Sequence, residues 1–400
     1  MSQAGPYPLP FPFPPPHGLL CSPEYQQLRA TRPVCRVQLP YGEPAWLVTG
    51  HAEAITVLGS PGFSRAATVG RDLPRETSEQ LPRTGISVMD PPEHTRVRKL
   101  AARALTPRRI AALRPQVERH SAELIRAMRA TGPPADLLAC YARPLPVRLI
   151  SELRGIPPSD QHKLQAWSDA IAAGTSLPLS ERERQEADMV EYATALIAAR
   201  RARPGPDLVS ALIAARDQGH RLTDPELVEL TIGVLVAGND TTSNQLANFA
   251  FMLLTHPGPW QALQASPGLI PAAVEELLRF IPFDPGTMLP RVATQAATLG
   301  GQQISEGDVL LVAAESANRD ERVFPDGEQL IFGRGTNPHL GFGHGPHYCL
   351  GAHQARLQLQ VAVKHWLELL PGLRLAVQPE DIEWRSDLLV RGPAALPVRW

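Results

Sequence analysis

The segment from Thr223 to His256 restricts the fold of this 400-residue chain more than any other. It begins with 223-TDPE-226, where Thr223 and Glu226 fit a capping box and Pro225 suits the first turn of a helix. A helix that continues to His256 is roughly 50 Å long at 1.5 Å per residue. Its stretch 230-LTIGVLVAG-238 is apolar on every face, as in a helix that crosses a protein interior. We therefore expect a fold built around one long central helix.

Polar residues interrupt this helix at its middle, in the stretch 238-GNDTTSNQ-245. A glycine there costs about 1 kcal/mol, and a buried carboxylate without a partner costs far more. One interpretation is a polar helix face turned to solvent. The apolar surroundings favour a functional role for Asp240 and its neighbours instead.

The remaining chain is mostly helical in pattern, with few strands. Pro115 should start a new helix or kink one. Further helices are predicted at 160–176, 181–202 and 207–217, and short strands at 34–39, 45–50, 297–301 and 308–314. No repeat or Gly/Ser linker divides the chain. We predict a mainly α, single domain over 21–400 with small sheets, preceded by a Pro-rich segment over 1–20.

The stretch 341-GFGHGPHYCLGA-352 places one of only four cysteines behind glycines and histidines. A zinc site needs about four ligands, and His344 and His347 have no second ligand pair near Cys349. A phosphate loop needs Lys and Ser/Thr after its last glycine, and both are absent. Two interpretations stay open from the residues alone. One is an inert cysteine in a Gly-rich turn, and the other is a single thiolate ligand for haem iron.

The surroundings of Cys349 suit the second interpretation. A helix is predicted over 350–370, and the dipole at its N-terminus favours a thiolate. Gly343, Gly345 and Gly351 let the backbone approach a flat ligand closely and aim N–H groups at the sulfur.

The pattern F-G-x-G-x-x-x-C-x-G, from Phe342 to Gly351, resembles the haem-binding loop of cytochrome P450 enzymes. The resemblance extends over nearly the whole chain. It includes 90-DPPEHTRVRKLAARALTP-107, 237-AGNDTT-242, the E-x-x-R pair of Glu276 and Arg279, 316-SANRD-320 and 334-RGTNPHLGFG-343. It implies the P450 fold, with haem between the long central helix and the cysteine loop. It also implies a haem-thiolate monooxygenase.

The resemblance implies haem b as the cofactor, with Cys349 as the thiolate ligand of its iron. Four side chains match positions that bind the haem propionates: His94, Arg98, Arg291 and His347. For His94 and Arg98, a solvated helix surface is the alternative explanation. The other implied cofactor-binding residues are Ala237, Gly238, Phe342, Gly343 and Gly351.

The same resemblance assigns Asp240 and Thr241 to proton delivery during oxygen activation. Asp240 would relay protons from bulk water, while Thr241 would hold water or oxygen by hydrogen bonds. Glu276, Arg279 and Arg334 would form a buried network that holds the cysteine loop, a structural role. The alternative for Glu276 and Arg279 is an exposed ion pair that contributes little to stability.

The predicted substrate is bulky and mostly apolar, because the pocket positions of the family carry few charges here. The chain resembles P450s that tailor polyketides, including macrolides, in antibiotic biosynthesis. The predicted pocket residues are Ile86, Val88, Met89, Gly233, Val234, Phe283, Thr287, Met288, Leu289, Leu388 and Leu389. The choice between hydroxylation and epoxidation stays open, as does the exact substrate.

Composition excludes several classes of protein. A formal net charge of −1 gives no signal for nucleic acid or an acidic membrane surface. The chain contains no run of about 18 apolar residues, so no membrane helix is predicted. The N-terminus lacks a signal-peptide pattern. The scattered cysteines indicate a reducing, cytoplasmic compartment.

The soluble bacterial type of P450 implies a ferredoxin and its reductase as electron donors, with O2 and a small molecule as substrates and a monomeric enzyme. A basic face for the ferredoxin is predicted at Lys99, Arg103, Arg108, Arg109 and Arg356, with ordinary surface charge as the alternative. His353, Gln354 and Gln358 depart from common P450 residues and would alter this docking. A haem sensor needs no acid–alcohol pair, and peroxide-driven P450s typically replace it, so these two alternatives are less favoured.

Overall fold

The computed structural model describes residues 8–14, 18–79, 84–173, 176–217, 222–283, 289–385 and 390–400. The chain divides into two compact units. The sheet unit is Met1–His94 with Glu275–Cys349, and the helical unit is Thr95–Val274 with Leu350–Trp400.

The helices follow in chain order: α1 Pro23–Thr31, α2 His51–Gly59, α3 Glu93–Ala104, α4 Pro107–Ala111, α5 Arg114–Thr131, α6 Pro144–Arg154, α7 Gln161–Ala173, α8 Leu179–Ala202, α9 Leu208–Asp217, α10 Asp224–Val236, α11 Asp240–Thr255, α12 Pro257–Ala265, α13 Ile270–Phe280, α14 Ala314–Ala317 and α15 Ala352–Leu369. The strands are β1 Leu9–Pro10, β2 Val34–Gln38, β3 Ala45–Val48, β4 Phe63–Ser64, β5 Ala135–Asp136, β6 Arg291–Ala293, β7 Ala297–Leu299, β8 Gln302–Ile304, β9 Val309–Val312, β10 Arg374–Leu375, β11 Trp384–Arg385, β12 Gly392–Pro393 and β13 Pro397–Arg399. Within these residues, none of the helices combines the length and apolar character that a membrane crossing requires.

The sheet unit is built on a six-stranded sheet of order β1-β2-β3-β9-β6-β4. Strand β3 pairs antiparallel with β2 and parallel with β9. Side chains alternate between its two faces, so Leu47 and Leu311 join one buried cluster while Val48 and Leu310 join another. Both faces are therefore buried, which explains the nearly continuous apolar runs of these strands.

The predicted strands are confirmed as β2, β3, β7 and β9. Near the N-terminus, Leu9–Pro10 pairs parallel with β2, and Phe11 is buried in the sheet-unit core. The boundary between residues 20 and 21, and a single domain over 21–400, stay predictions.

The helical unit confirms the helices predicted from periodicity as α7, α8 and α9, and Pro115 lies in the first turn of α5. Ile110 of α4, Val117 of α5 and Leu357 and Val361 of α15 pack in one buried cluster. Helices α4 and α15 thus lie side by side in this unit.

The central helix differs from its prediction. The capping box is present, with Thr223 Oγ1 accepting from Glu226 N at 3.3 Å and Glu226 Oε2 accepting from Thr223 N at 2.7 Å. However, the predicted continuous helix is interrupted by a turn over 237–239, between α10 and α11. Asn239 N donates to Val236 O at 3.1 Å, while the Asn239 side chain donates to Leu235 O at 3.2 Å. The side chain has taken the carbonyl that the backbone of a regular helix would use.

Replacement of two buried arginines is expected to change the stability of the protein in opposite directions. Arg154 of α6 is 4% exposed, and its Nε and Nη1 atoms have no hydrogen-bond partner among the described residues. Burial lowers the pKa of Arg154 to about 9. Arg279 of α13 is 0% exposed, but it forms a two-bond ion pair with Glu276 at 2.8 and 2.7 Å.

We expect Arg154→Leu to raise the free energy of unfolding by about 1–4 kcal/mol, because it removes an uncompensated buried charge. The matched Arg279→Leu variant should lose about 3–5 kcal/mol, because it leaves Glu276 buried with fewer partners. Urea unfolding followed by circular dichroism measures both. A stability loss in Arg154→Leu would contradict the first expectation.

Candidate functional site

The cysteine loop of the sheet unit ends at Cys349, whose side chain is exposed. Its backbone N donates to Phe342 O at 2.8 Å, and Tyr348 N donates to Gly345 O at 3.0 Å. These two bonds close the loop on itself. Helix α15 begins at Ala352, three residues along the chain, so Cys349 precedes a helix N-terminus as predicted.

Two glycines of this loop are needed for its backbone. Gly345 has φ +69°, and a Cβ there would lie 2.6 Å from Leu58 O, so only glycine fits. Gly343 has φ +72°, and a Cβ there would meet nothing closer than His347 O at 3.9 Å. The backbone at Gly343 is therefore open to a flat group.

Basic side chains gather in the same unit. Arg65, His94 and Arg291 are buried, and His347 is half-buried with its ring centroid 4.1 Å from that of His94. His94, Arg291 and His347 were predicted as propionate ligands, and the structure brings them together. The fourth predicted ligand, Arg98, lies half-buried on α3 in the helical unit.

Electrostatics show that several positive charges act on His347. The pKa of His347 is lowered to about 3, mainly by burial and also by the charges of His94, Arg291 and Arg65. Burial also lowers the pKa of Arg291 to about 10. Asp90 is the one carboxylate that opposes both shifts.

The donor set fits haem. Buried cationic side chains bind anions by charge-assisted hydrogen bonds, and haem offers two propionate carboxylates. The exposed thiol of Cys349 and the open backbone at Gly343 lie in the same unit. Among the described residues, no three His, Cys, Asp or Glu side chains gather into a metal site of the usual kind. The arrangement suits one thiolate ligand to a metal already held by a cofactor.

Arg65 is a residue that sequence reasoning missed. Asp90 fixes its backbone, because the Asp90 carboxylate accepts from Arg65 N at 2.9 Å and from the Ser64 hydroxyl. Arg65 and Asp90 are distant in sequence and share no spacing pattern. Only the paired strands and the fold around them bring Arg65 to the histidines.

The predicted structural network is present in the sheet unit. Glu276 accepts from both Arg279 and Arg334, the latter through Nε at 3.2 Å. It also accepts from Ile331 N at 2.9 Å and Asn337 Nδ2 at 3.2 Å. The network therefore ties α13 to the chain that leads into the cysteine loop.

The interrupted helix carries the predicted catalytic pair in the helical unit. Gly233, Ala237 and Thr241 are four residues apart along one face, and none of them is buried although most of their neighbours are. The Thr241 hydroxyl donates to Ala237 O at 2.9 Å. Gly238 packs towards α6, where a Cβ would meet Ile150 Cδ1 at 3.1 Å. The helix is thus open along a narrow stripe that includes Thr241.

Asp240 lies beside this stripe with a perturbed acidity. Its pKa is raised to about 6, mainly by burial and also by the charge of Asp169. Arg143, Arg385 and a 2.9 Å hydrogen bond from Asn244 Nδ2 act in the opposite direction. A carboxyl with a pKa near 6 exchanges protons readily around neutral pH, as a proton relay requires.

The predicted pocket residues are only partly described. Thr287, Met288, Leu388 and Leu389 lie outside the described residues. Ile86, Val88, Met89 and Phe283 of the sheet unit and Gly233 of the helical unit are half-buried, Val234 is buried, and Leu289 is exposed.

Comparisons with known proteins identify similar chains. A family model described as Cytochrome P450 matches residues 144–390. Mycinamicin IV hydroxylase/epoxidase of Micromonospora griseorubida is 44% identical over 384 residues, which are 96% of this chain and 96% of that protein. Nocardicin C N-oxygenase of Nocardia uniformis subsp. tsuyamanensis is 45% identical over 379 residues, covering 94% of this chain and 95% of that protein.

A solved structure is similar along the whole length. It is a mutant of the mixed-function P450 MycG in complex with mycinamicin V, with a TM-score of 0.93 at 44% identity. The match covers 98% of this chain and 100% of that chain. It confirms the predicted fold, mainly α with small sheets.

Proposed function

Because this chain belongs to the cytochrome P450 family and is a monooxygenase that binds haem b, we propose that it inserts one oxygen atom from O2 into a bulky, mostly apolar natural product. The proposed substrate class is a polyketide or macrolide, and the reaction is hydroxylation or epoxidation. One observation supports this most: the chain is 44% identical, over 96% of both proteins, to an enzyme named for hydroxylating and epoxidising mycinamicin IV.

Haem, when bound, supplies the iron at which O2 is activated. We propose Cys349 as its thiolate ligand, since its thiol is exposed on a loop that glycines and two backbone hydrogen bonds shape. Arg291, His94, His347 and Arg98 would bind the propionates.

Asp240 and Thr241 would supply protons to the reacting oxygen. The hydroxyl hydrogen of Thr241 is directed at Ala237 O, which leaves the oxygen lone pairs free to accept from water. The Asp240 carboxyl holds a proton below about pH 6 and releases it above, so it can pass protons one at a time. The half-buried position of both side chains limits the access of bulk water.

The substrate class can be tested by binding. We expect mycinamicin IV and related macrolides to shift the haem spin state of the purified enzyme, and nocardicin C to shift it less. Mass spectrometry of the reaction should then show a product heavier by one oxygen atom. A spin-state shift confined to nocardicin-like compounds would contradict the macrolide assignment, since a 45% identical relative is named for that chemistry.

Ferredoxin and its reductase are the proposed electron donors, and the proposed docking face lies in the helical unit. Lys99 of α3, Arg103 of α3 and Arg108 and Arg109 of α4 are exposed, and Arg356 of α15 is half-buried. Ile110 and Leu357 pack α4 against α15, so Arg108, Arg109 and Arg356 stand on neighbouring helices. Gln354 and Gln358 are buried and offer no side-chain surface to a partner, whereas His353 is exposed; an effect of all three on docking stays a prediction.

We expect electron transfer from ferredoxin to slow by about tenfold or more as salt rises, because exposed charges are screened. Replacing Arg108 and Arg109 by Gln should lower the rate at low salt and flatten this dependence. Arg184→Gln on α8 removes a cation from another part of the unit and should change neither. Stopped-flow haem reduction measures the rate, and a rate independent of salt would contradict the docking face.

We further propose that the enzyme acts as a monomer in the cytoplasm. None of its four cysteines is joined in a disulfide, as expected for a reducing compartment.

A further inference from the structure

We propose that Asp169 of α7 is the solvent-side carboxylate through which Asp240 takes up protons, with Arg143 as the cation that both carboxylates share. This inference rests on the proposed role of Asp240 as a proton relay. It adds a second acid and a controlling arginine that the sequence did not indicate.

A buried hydrogen bond places the two acids on adjoining pieces of chain. Asn239 Nδ2 donates to Ser168 Oγ at 2.9 Å, and both residues are buried. Asp240 and Asp169 directly follow these two residues in the sequence. This bond therefore joins the turn that interrupts the central helix to α7, and Asp240 and Asp169 each lie one residue beyond the bonded pair.

Asp169 itself faces water. Its side chain is 39% exposed, and that of Arg143 is 30% exposed. Arg143 Nη1 lies 3.6 Å from Asp169 Oδ2, a loose ion pair, while Gln165 Nε2 donates to Asp169 Oδ1 at 3.0 Å. The carboxylate is thus oriented by two partners from its own unit and still reaches solvent, as a group that collects protons must.

The charges around Asp240 link it to this pair. Asp169 is the one carboxylate among the groups that shift the pKa of Asp240, and Arg143 and Arg385 are the cations that oppose it. Asn244, from the next turn of α11, donates to Asp240 Oδ2 at 2.9 Å. Arg143 therefore acts on both acids, and loss of one partner leaves it more available to the other.

The proposed step is balanced in protons. A hydronium ion in bulk water gives a proton to the Asp169 carboxylate, and the protonated Asp169 passes one through water to the Asp240 carboxylate. Asp240 then holds that proton until it is drawn to the reacting oxygen. When Asp169 is neutral, its attraction for Arg143 weakens, and Arg143 can move towards the ionised Asp240 carboxylate.

Asp169→Asn should change the pH profile in a defined direction. It removes a negative neighbour and frees Arg143, so both effects lower the pKa of Asp240. Asp240 is then ionised at lower pH, and the fall of turnover on the alkaline side should move down by roughly half to one pH unit. At pH 7 we expect turnover of mycinamicin IV at least threefold slower, with a larger solvent deuterium isotope effect.

The controls separate this role from a structural one. Asp169→Glu restores the carboxylate and should recover both the profile and the isotope effect. Glu181→Gln on α8 removes a half-buried carboxylate that pairs with Arg184 at 2.6 Å, and should leave both unchanged. A uniform loss of rate in Asp169→Asn, without a shift of the profile, would overturn the inference.

Parallel measurements on Asp240→Asn distinguish the role of Asp240 from that of Asp169. If Asp240→Asn turns over at the wild-type rate, the proposed function of Asp240 fails. If it is slow while Asp169→Asn keeps the wild-type profile, only the inference about Asp169 fails. In the double variant, loss of Asp169 should add nothing to the loss of Asp240, because both lie on one route.

Discussion

Replacement of Cys349 by alanine is expected to abolish the strongly red-shifted Soret band of the ferrous–CO complex and all oxygenase turnover. The thiolate would be the one protein ligand of the iron, and no other cysteine stands in this loop. Absorption spectra of the reduced, CO-treated protein measure the band, and circular dichroism verifies that the variant is folded.

Cys140→Ala is the matched control, since Cys140 is also exposed but lies in the helical unit. It should keep the band and the activity. A red-shifted band retained by Cys349→Ala would show that another group binds the iron.

Substitutions at Thr241 and Asp240 should produce two different defects. Thr241→Ala should still consume reductant but divert it to hydrogen peroxide, because water is no longer held by the hydroxyl beside Ala237 O. Asp240→Asn should slow turnover by about 10²–10⁴, the usual value of one positioned proton-transfer group. Product formed per NADPH consumed, together with the overall rate, distinguishes the two.

The pH dependence of the wild type supplies a sign test for the same residue. Burial raises the pKa of Asp240 to about 6, so its carboxyl is protonated below that pH and ionised above it. Proton-limited turnover should therefore fall as pH rises through this range, and Asp240→Asn should lose that dependence.

The controls come from the same part of the chain. Thr255 on α11 donates to Phe251 O at 2.8 Å, the same local bond that Thr241 makes, so Thr255→Ala should keep wild-type coupling. Asp224→Asn should keep the wild-type rate. Wild-type coupling and rate in both Thr241→Ala and Asp240→Asn would contradict the proposed mechanism and favour a sensor or a peroxide-driven enzyme.

Local features of this fold could be predicted from sequence because local rules determine them. The capping box at Thr223 depends on residues three apart, and the strands near Val34 and Val309 depend on apolar runs with turn residues beside them. The cysteine loop was predictable because its glycines meet steric demands that no other residue can, as at Gly345.

Other features depend on contacts between distant residues. Nothing in the sequence near Arg65 indicates that it joins His94 and Arg291, or that Ser168 bonds to Asn239. The interruption of the central helix was missed although Gly238 and Asn239 are weak helix formers, because the apolar runs on both sides indicate one continuous helix. Gln358 was named for its effect on partner docking and is fully buried. In each case a tertiary contact outweighed the local signal.

The interruption at Asn239 has a consequence for laboratory evolution of this enzyme. Its side chain is fully buried, and its Oδ1 atom has no hydrogen-bond partner in the described part of the chain. An acceptor left in that state costs on the order of 1–3 kcal/mol. Selection for heat resistance will therefore favour helix-forming, apolar replacements at position 239, which would straighten the helix that carries Asp240 and Thr241. Robustness and catalysis are in conflict at this one residue, so a library built to improve thermal tolerance should leave it unchanged.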